Sequence, residues 1–160
     1  MLLRPVTTAD LPELLTINNA AVPNVNELDA GRFAELVGLA ALACVATDGD
    51  ELLGFVLAMA EGVDYDSANY VWFSAHYPRF LYVDRVVAEA GRGAGTGTAL
   101  YKAVFSHAGP GVPVTCEVNV RPPNEGSMRF HRRHGFAEVG RQDTEGGTKT
   151  VALLAAGAAG

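Results

Sequence analysis

Residues 79–108 read RFLYVDRVVAEAGRGAGTGTALYKAVFSHA, and this stretch decides the fold. Phe80 to Val87 is rich in aromatic and β-branched residues, the composition of a buried strand. Four glycines follow at alternate positions, Gly91, Gly93, Gly95 and Gly97, with Arg92 among them. Leu100, Ala103, Val104 and His107 then recur at helical spacing, and Gly109-Pro110 supplies a stop. Strand, glycine turn and helix in that order aim several backbone N–H groups at one point. The helix N-terminus adds roughly half a positive charge there, and such a nest takes phosphate without many basic side chains.

Two common phosphate motifs are absent. No Gly-Lys-Ser/Thr ending is present, and a G-x-G-x-x-G fingerprint started at Gly91 or Gly93 meets Thr96 or Thr98 at its last glycine. What fits is Arg92-x-x-Gly95-x-Gly97 after a strand ending at Val87, in a V-x-x-x-x-R-G-x-G-x-G cadence. This resembles the acetyl-CoA pyrophosphate loop of the GNAT superfamily of N-acetyltransferases. The plain alternative, a glycine-rich connection, would spend backbone entropy without a purpose. A second segment, Asn124 to Phe136, reads NEGSMRFHRRHGF and is similar to the superfamily's later motif N-x-x-[SA]-x-x-[FL]-[YH]-x-x-x-G-F. Asn124 suits a helix cap, Phe130 an apolar face, and Gly135 the C′ position before a strand beginning at Phe136. The two motifs cover roughly a third of the chain, in the right order.

The chain has 160 residues, 49% of them apolar, and a formal charge of −6, and its mean hydropathy is +0.14. These values fit one packed domain, expected over residues 1–154, with 155–160 (AAGAAG) as a fraying tail. The charge disfavours nucleic acid and anionic membrane as partners. No apolar run reaches membrane length, and MLLRPVTTAD lacks the long apolar core of a signal peptide, so a cytoplasmic location is expected. Cys44 and Cys116 fall in expected strands and read as reduced, buried thiols. His76, His107, His131 and His134 are too scattered for a metal set, so no metal is expected. The chain is expected to act alone or as one subunit of a homodimer.

In chain order, Leu2 to Val6 is a strand, Thr7-x-x-Asp10 a capping-box-like start, and a helix runs to about Ala21. Pro23 to Asn26 breaks it, and Asp29 to Ala40 forms a second helix. Ala41 to Thr47 and Leu52 to Met59 make a hairpin around Asp48-Gly49-Asp50. Glu61 to His76 reads as a long irregular stretch rich in aromatics; Tyr70 to Phe73 either lines a site or packs under the sheet. After the central strand and helix come a strand over Val112 to Val118, the second motif's helix, and a terminal hairpin, Val139 to Thr144 and Thr148 to Leu154. The fold class is therefore α/β: a mixed, mostly antiparallel sheet flanked by helices, with one parallel crossover. The resemblance implies that the two central strands splay into a V that admits the thioester.

What the resemblance implies about function is acetyl transfer from acetyl-CoA to a primary amine of a small molecule by direct attack, with CoA as product. A protein or peptide acceptor and a non-catalytic CoA-binding module are the alternatives. Cofactor contacts then fall to Val86, Val87, Arg92, Gly93, Ala94, Gly95, Thr96 and Gly97, and to Asn124, Ser127 and Phe130. For Asn124, the roles of cap and contact stand side by side. An alkylammonium titrates near ~10.4, so neutral pH requires a base. Asp84 is preferred and Glu117 is the second candidate; pairing with Arg85 or Arg121 is the structural alternative for either. His131 stands where the superfamily usually has tyrosine, and is a candidate to protonate the leaving thiolate or a residue that merely lines the pocket. Superfamily members roof the acceptor site with the first helical pair, which here brings in Asn24 and Asn26. The aromatic stretch adds Trp72, Phe73 and Tyr77, and acids Asp64 and Asp66 favour a cationic acceptor.

Overall fold

The computed structural model describes residues 1–89, 91 and 94–157. Among the described residues, seven strands are hydrogen-bonded in the order β1-β2-β3-β4-β5-β7-β6: β1 Leu2–Pro5, β2 Leu42–Asp48, β3 Glu51–Ala60, β4 Leu81–Ala88, β5 Val114–Arg121, β6 Ala137–Thr144 and β7 Lys149–Ala156. Five α-helices occur among the described residues: α1 Leu11–Ala20, α2 Ala30–Leu39, α3 Ala68–His76, α4 Thr96–Ala108 and α5 Glu125–Arg133. The β1–β2, β2–β3, β5–β7 and β6–β7 pairs are antiparallel. β4 and β5 run parallel, with Leu81 opposite Val114 and Tyr82 opposite Thr115, and α4 makes the crossover. This is the mixed, mostly antiparallel α/β sheet that the sequence pattern predicts. No helix among the described residues is long and apolar enough to cross a membrane.

The chain divides into two compact units. The first comprises Met1–Met59 and Val83–His107. Its centre is β3, ELLGFVLAMA, buried from Leu52 through Met59. A strand covered on both faces needs such an unbroken apolar run instead of alternation. α2 contributes Phe33 and Leu36, each 1% exposed, and the Phe33 ring meets Phe55 edge-on at 5.6 Å. α4 buries Leu100, Tyr101 and Val104 on one stripe. At the start of α1, Asp10 takes both terminal nitrogens of Arg4 at 2.8 and 2.9 Å, together with the backbone N–H and hydroxyl of Thr7. The Thr7–Asp10 capping box thus forms, with a short 3-10 turn over Thr8–Asp10 ahead of α1.

The second unit comprises Ala60–Tyr82 and the chain from Ala108 onward. β7 is its middle strand, flanked by β5 and β6. Two expectations are corrected here. Ala155 and Ala156 do not fray: they continue β7, pair with Thr115 and Val114, and are 8% and 5% exposed. A middle strand must match the length of its neighbour, and alanine lets it do so in little space. Residues 158–160 lie outside the described residues.

The second correction concerns 61–76, which is not irregular throughout. Ser67 caps α3, and Tyr70 and Phe73, one turn apart, are 2% and 0% exposed. Their rings join Phe80 and Tyr82 in a cluster with centroids 5.5–6.2 Å apart, and each such contact adds about 0.5–1.5 kcal/mol beyond area burial. The Tyr70 hydroxyl donates to Ala60 O at 2.6 Å and accepts from Val63 N–H at 3.2 Å, stitching down the chain before the helix. Trp72 lies so close over Gly140 of β6 that no Cβ fits there.

The Arg4 guanidinium holds the Asp10 carboxyl well below the usual carboxylate range, and the Thr7 donors reinforce it against the effect of burial. A depressed folded-state value gives stability that is present above the unfolded pKa, 3.8, and lost as pH falls below it. Arg4 is 40% exposed, so screening limits the effect. Asp10→Asn is expected to lower Tm at neutral pH by roughly 2–5 °C. In calorimetry the parent–variant gap should close as pH drops below about 4; a gap independent of pH would refute the pairing.

Candidate active site

In the first unit, β4 delivers the chain to the glycine turn. Glu89 N–H bonds Leu53 O at 2.8 Å, and a Cβ on Gly54 would strike the Val87 carbonyl and the Thr96 methyl. Glycine at 54 therefore lets β3 press against the end of β4 and the start of α4. Gly91 and Gly95 have φ of +76° and +87°, and α4 begins at Thr96, which is 1% exposed. Ala99 N–H bonds Gly95 O at 2.9 Å, so Gly95 is the hinge from turn to helix. The first N–H groups of α4 point out of its N-terminus, as in any α-helix, and beside them Ala94 and Gly95 are exposed. That donor set, aligned with the helix dipole, fits a pyrophosphate. Val86, Val87, Ala94, Gly95, Thr96 and Gly97 are brought together here. Arg92 and Gly93 lie outside the described residues.

The same unit contains a buried polar network that the sequence reading only half anticipates. Arg85, 6% exposed, gives its Nε–H to Asp84 Oδ2 at 2.7 Å, one Nη to Asn18 Oδ1 at 3.1 Å and the other to Asn26 Oδ1 at 2.9 Å. The Asp84 and Arg85 side chains are 3% and 5% exposed. The preferred base is thus engaged in an ion pair, which is the structural alternative weighed for it. Asn26 belongs to the network, and Asn24 is exposed in the same connection.

In the second unit, Glu117 projects from β5 and takes the Tyr82 hydroxyl on both oxygens, at 2.9 and 2.7 Å. Tyr82 is 0% exposed, and its partner lies 35 residues along the chain, so spacing gave no signal for the pair. Thr115, on the same face of β5 as Glu117 by strand alternation, is 0% exposed and its Oγ1 has no hydrogen-bond partner. Arg121 turns elsewhere, to Gly147 O at 2.7 Å and Thr150 Oγ1 at 3.0 Å. Of the aromatic acceptor candidates, Phe73 belongs to the core. Trp72 is half-buried between Gly140 and a stacked His76 ring at 3.7 Å, and Tyr77 is half-buried at the end of α3.

α5 carries the second motif. Asn124 caps it, its Oδ1 accepting from Ser127 N–H at 3.3 Å. Phe136 N–H to His131 O and Gly135 N–H to Arg132 O, both 3.1 Å, close its end in a Schellman arrangement. Ser127 and Phe130 are half-buried. His131 is 5% exposed, and its Nδ1 lies 2.7 Å from Ser127 O. A carbonyl only accepts, so Nδ1 carries the proton. Burial pushes the imidazole below its ordinary value, against the Ser127 carbonyl's preference for the charged form, and His134 lowers it further. Near neutral pH the ring is uncharged, with its one proton committed to Ser127. This bond locks the ring to its own helix.

The chain belongs to the acetyltransferase (GNAT) family, whose model matches residues 13–136. Acetyl-CoA is accordingly the acetyl donor. No curated sequence matches the chain. Among solved structures it is similar to Arabidopsis thaliana NAA60 in complex with acetyl-CoA, with a TM-score of 0.70 and 23% identity over 96% of this chain and 97% of that one. It is similar to the Escherichia coli ribosomal-protein-S18-alanine N-acetyltransferase at a TM-score of 0.71 and 17% identity, over 97% and 92%. Chaetomium thermophilum Naa20 with a bisubstrate analogue gives 0.74 and 18%, over 98% and 86%. At these identities the likeness is one of fold.

Two outcomes follow from this geometry. Gly95→Val puts a β-branched residue at a φ of +87°, so the turn must move. Calorimetry should show acetyl-CoA binding weakened about tenfold or more, while the Tm falls only a few degrees; parent-like affinity would remove this turn from the binding site. For His131, a folded-state pKa below the ordinary 6.5 means stability that is full above that value and lost as pH falls beneath it. His131→Phe should therefore flatten the loss of Tm between pH 7 and 5, and an unchanged slope would show that the ring does not titrate as described.

Proposed function

We propose that the protein transfers the acetyl group of acetyl-CoA to a primary amine of a small molecule by direct attack, with Glu117 as the base. The observation that carries this reading is the Tyr82–Glu117 pair in a chain of the acetyltransferase family. Bound acetyl-CoA supplies an activated acyl carbon and a thiol leaving group. The N-terminal turn of α4 and Gly95 take its pyrophosphate, and the backbone of Val86 and Val87 meets its pantetheine arm, as the family resemblance implies. Asn124, Ser127 and Phe130 are proposed as further cofactor contacts on α5.

The acceptor arrives mostly as an ammonium, and Glu117 removes its proton so that the nitrogen lone pair can attack. A proton taken by Glu117 neutralises an anion beside a neutral phenol. One taken by Asp84 would leave the buried Arg85 guanidinium uncompensated, at a cost of several kcal/mol. Tyr82 holds the carboxylate in a single orientation. The departing thiol, close in chemistry to a cysteine side chain with a pKa of about 8.5, leaves readily as its anion and takes the second proton that the nitrogen sheds as the C–S bond breaks and the amide forms. His131 then serves as a structural residue. Exposed Asp64 and Asp66 and a formal charge of −6 favour a cationic acceptor. Asn24, Asn26, Trp72 and Tyr77 are proposed to meet it.

A peptide α-amine is the second reading. It is favoured by the Escherichia coli enzyme named for a ribosomal-protein alanine and by the Naa20 bisubstrate complex among the similar structures. A panel of polyamines, alkylamines and short peptides with free N-termini separates the two readings, and absence of turnover with every amine would leave only CoA binding. Glu117→Gln should lower kcat/KM by about 10²–10⁴-fold near neutral pH and recover as pH approaches the amine's own value. Tyr82→Phe should show a smaller loss. A parent-like pH profile in Glu117→Gln would overturn the role of Glu117.

A further inference from the structure

We infer that Arg85 is a positioning residue for the acceptor: its guanidinium tethers the connection between α1 and α2 to β4. The inference rests on the proposed function, because that connection carries Asn24 and Asn26. Residues 21–29 have neither helix nor strand to hold them; Ala21 O accepts from Asn24 N–H in one turn, and Leu28, 8% exposed, is the buried apolar anchor. What fixes them is side-chain bonding. Asn18, 0% exposed on α1, gives its Nδ2 to Asn26 O at 3.1 Å and to Asn19 Oδ1 at 3.0 Å. Asn19 in turn accepts from Leu28 N–H and donates to Leu28 O, both at 3.0 Å, a two-point clasp like a strand pair.

Arg85 joins this lacing to the sheet. A guanidinium has only donors, so it dictates that Asn18 and Asn26 present their oxygens to it and turn their NH2 groups away. Asn18 then has its NH2 free to hold Asn26 O, and the amide of Asn26 is held at both its backbone and side-chain carbonyls. Three acceptors in three directions suit a rigid fork. A lysine keeps the charge opposite Asp84 but is a point donor on a flexible stem that cannot span all three.

The experiment compares the parent with Arg85→Lys and with Asn26→Ala, whose site is exposed and whose folding is not at risk. Hydrogen exchange is read at amides 21–28, acetyl-CoA affinity by calorimetry, and steady-state kinetics with spermidine and with a tetrapeptide bearing a free N-terminal alanine. Arg85→Lys is expected to speed exchange at 21–28 by about tenfold or more while the amides of α4 keep parent rates. The acceptor KM should rise by about tenfold, with kcat and acetyl-CoA affinity within about threefold of the parent. Asn26→Ala should move the same readouts in the same direction by less. Unchanged exchange at 21–28, or a parallel loss of acetyl-CoA affinity, overturns the inference. If the parent acetylates neither probe, the proposed acceptor chemistry fails on its own, and the exchange comparison alone decides for or against the tether.

Discussion

A guanidinium that is 6% exposed must find acceptors for its N–H groups, and the first unit is arranged around that requirement at Arg85. Neighbouring Asp84 provides the charge, and two asparagines at sequence separations of 67 and 59 provide neutral oxygens. Meeting the requirement draws α1 and the following connection onto β4. It explains why an asparagine, Asn18, sits at 0% exposure on a helix whose other buried residues are apolar. It also explains why that connection has a defined conformation without regular structure.

The same requirement sorts the two carboxylates. A base must take up a proton without creating a worse charge than it removes. In the reading proposed above, Asp84 is the poorer candidate because its charge compensates the buried Arg85. Glu117, the base proposed above, meets this demand at its contact with Tyr82, a phenol that stays hydrogen-bonded whether the carboxyl is charged or neutral. The distinction rests on the character of the partner, and a carboxylate's position on a strand does not reveal it.

Much of the fold was legible, for identifiable reasons. β3 announces itself by an unbroken apolar run, α5 by a cap and a closing glycine, and the strand–turn–helix by a run of alternating glycines that would destabilise a helix or strand interior. The terminal alanines misled because alanine has little strand preference of its own; their burial comes from lying beside β5. The α3 segment misled because its buried residues, Tyr70 and Phe73, are aromatic, while Val71 between them is 52% exposed, so no clean apolar stripe appears. Pairings set by tertiary contact left no trace in local pattern. Tyr82 reads as a core strand residue, which its ring is, and nothing local shows that its hydroxyl meets Glu117. For His131, its place in the second motif and its residue type suggested proton transfer; its burial and the bond to Ser127 O, which fixes the tautomer, depend on helix geometry and packing.

Tyr82 shows how packing and chemistry are joined in the second unit. Its ring is one member of the Tyr70, Phe73 and Phe80 cluster, and with no exposure it has no alternative rotamer to visit. The hydroxyl at the end of that ring is therefore fixed by apolar contacts, and it fixes Glu117 in turn. α3 is held over the same sheet by Trp72 on Gly140 and by the Gln142–Asn69 bond at 2.8 Å, so the aromatic cluster cannot relax by shifting the helix. A base on a strand surface would sample several orientations, each with its own reach for a proton. For the base proposed at Glu117, the side chain that orients the carboxylate is itself a core residue, so its positioning would be inherited from the packing beneath it. That is the physical use of a helix which neither glycine motif required.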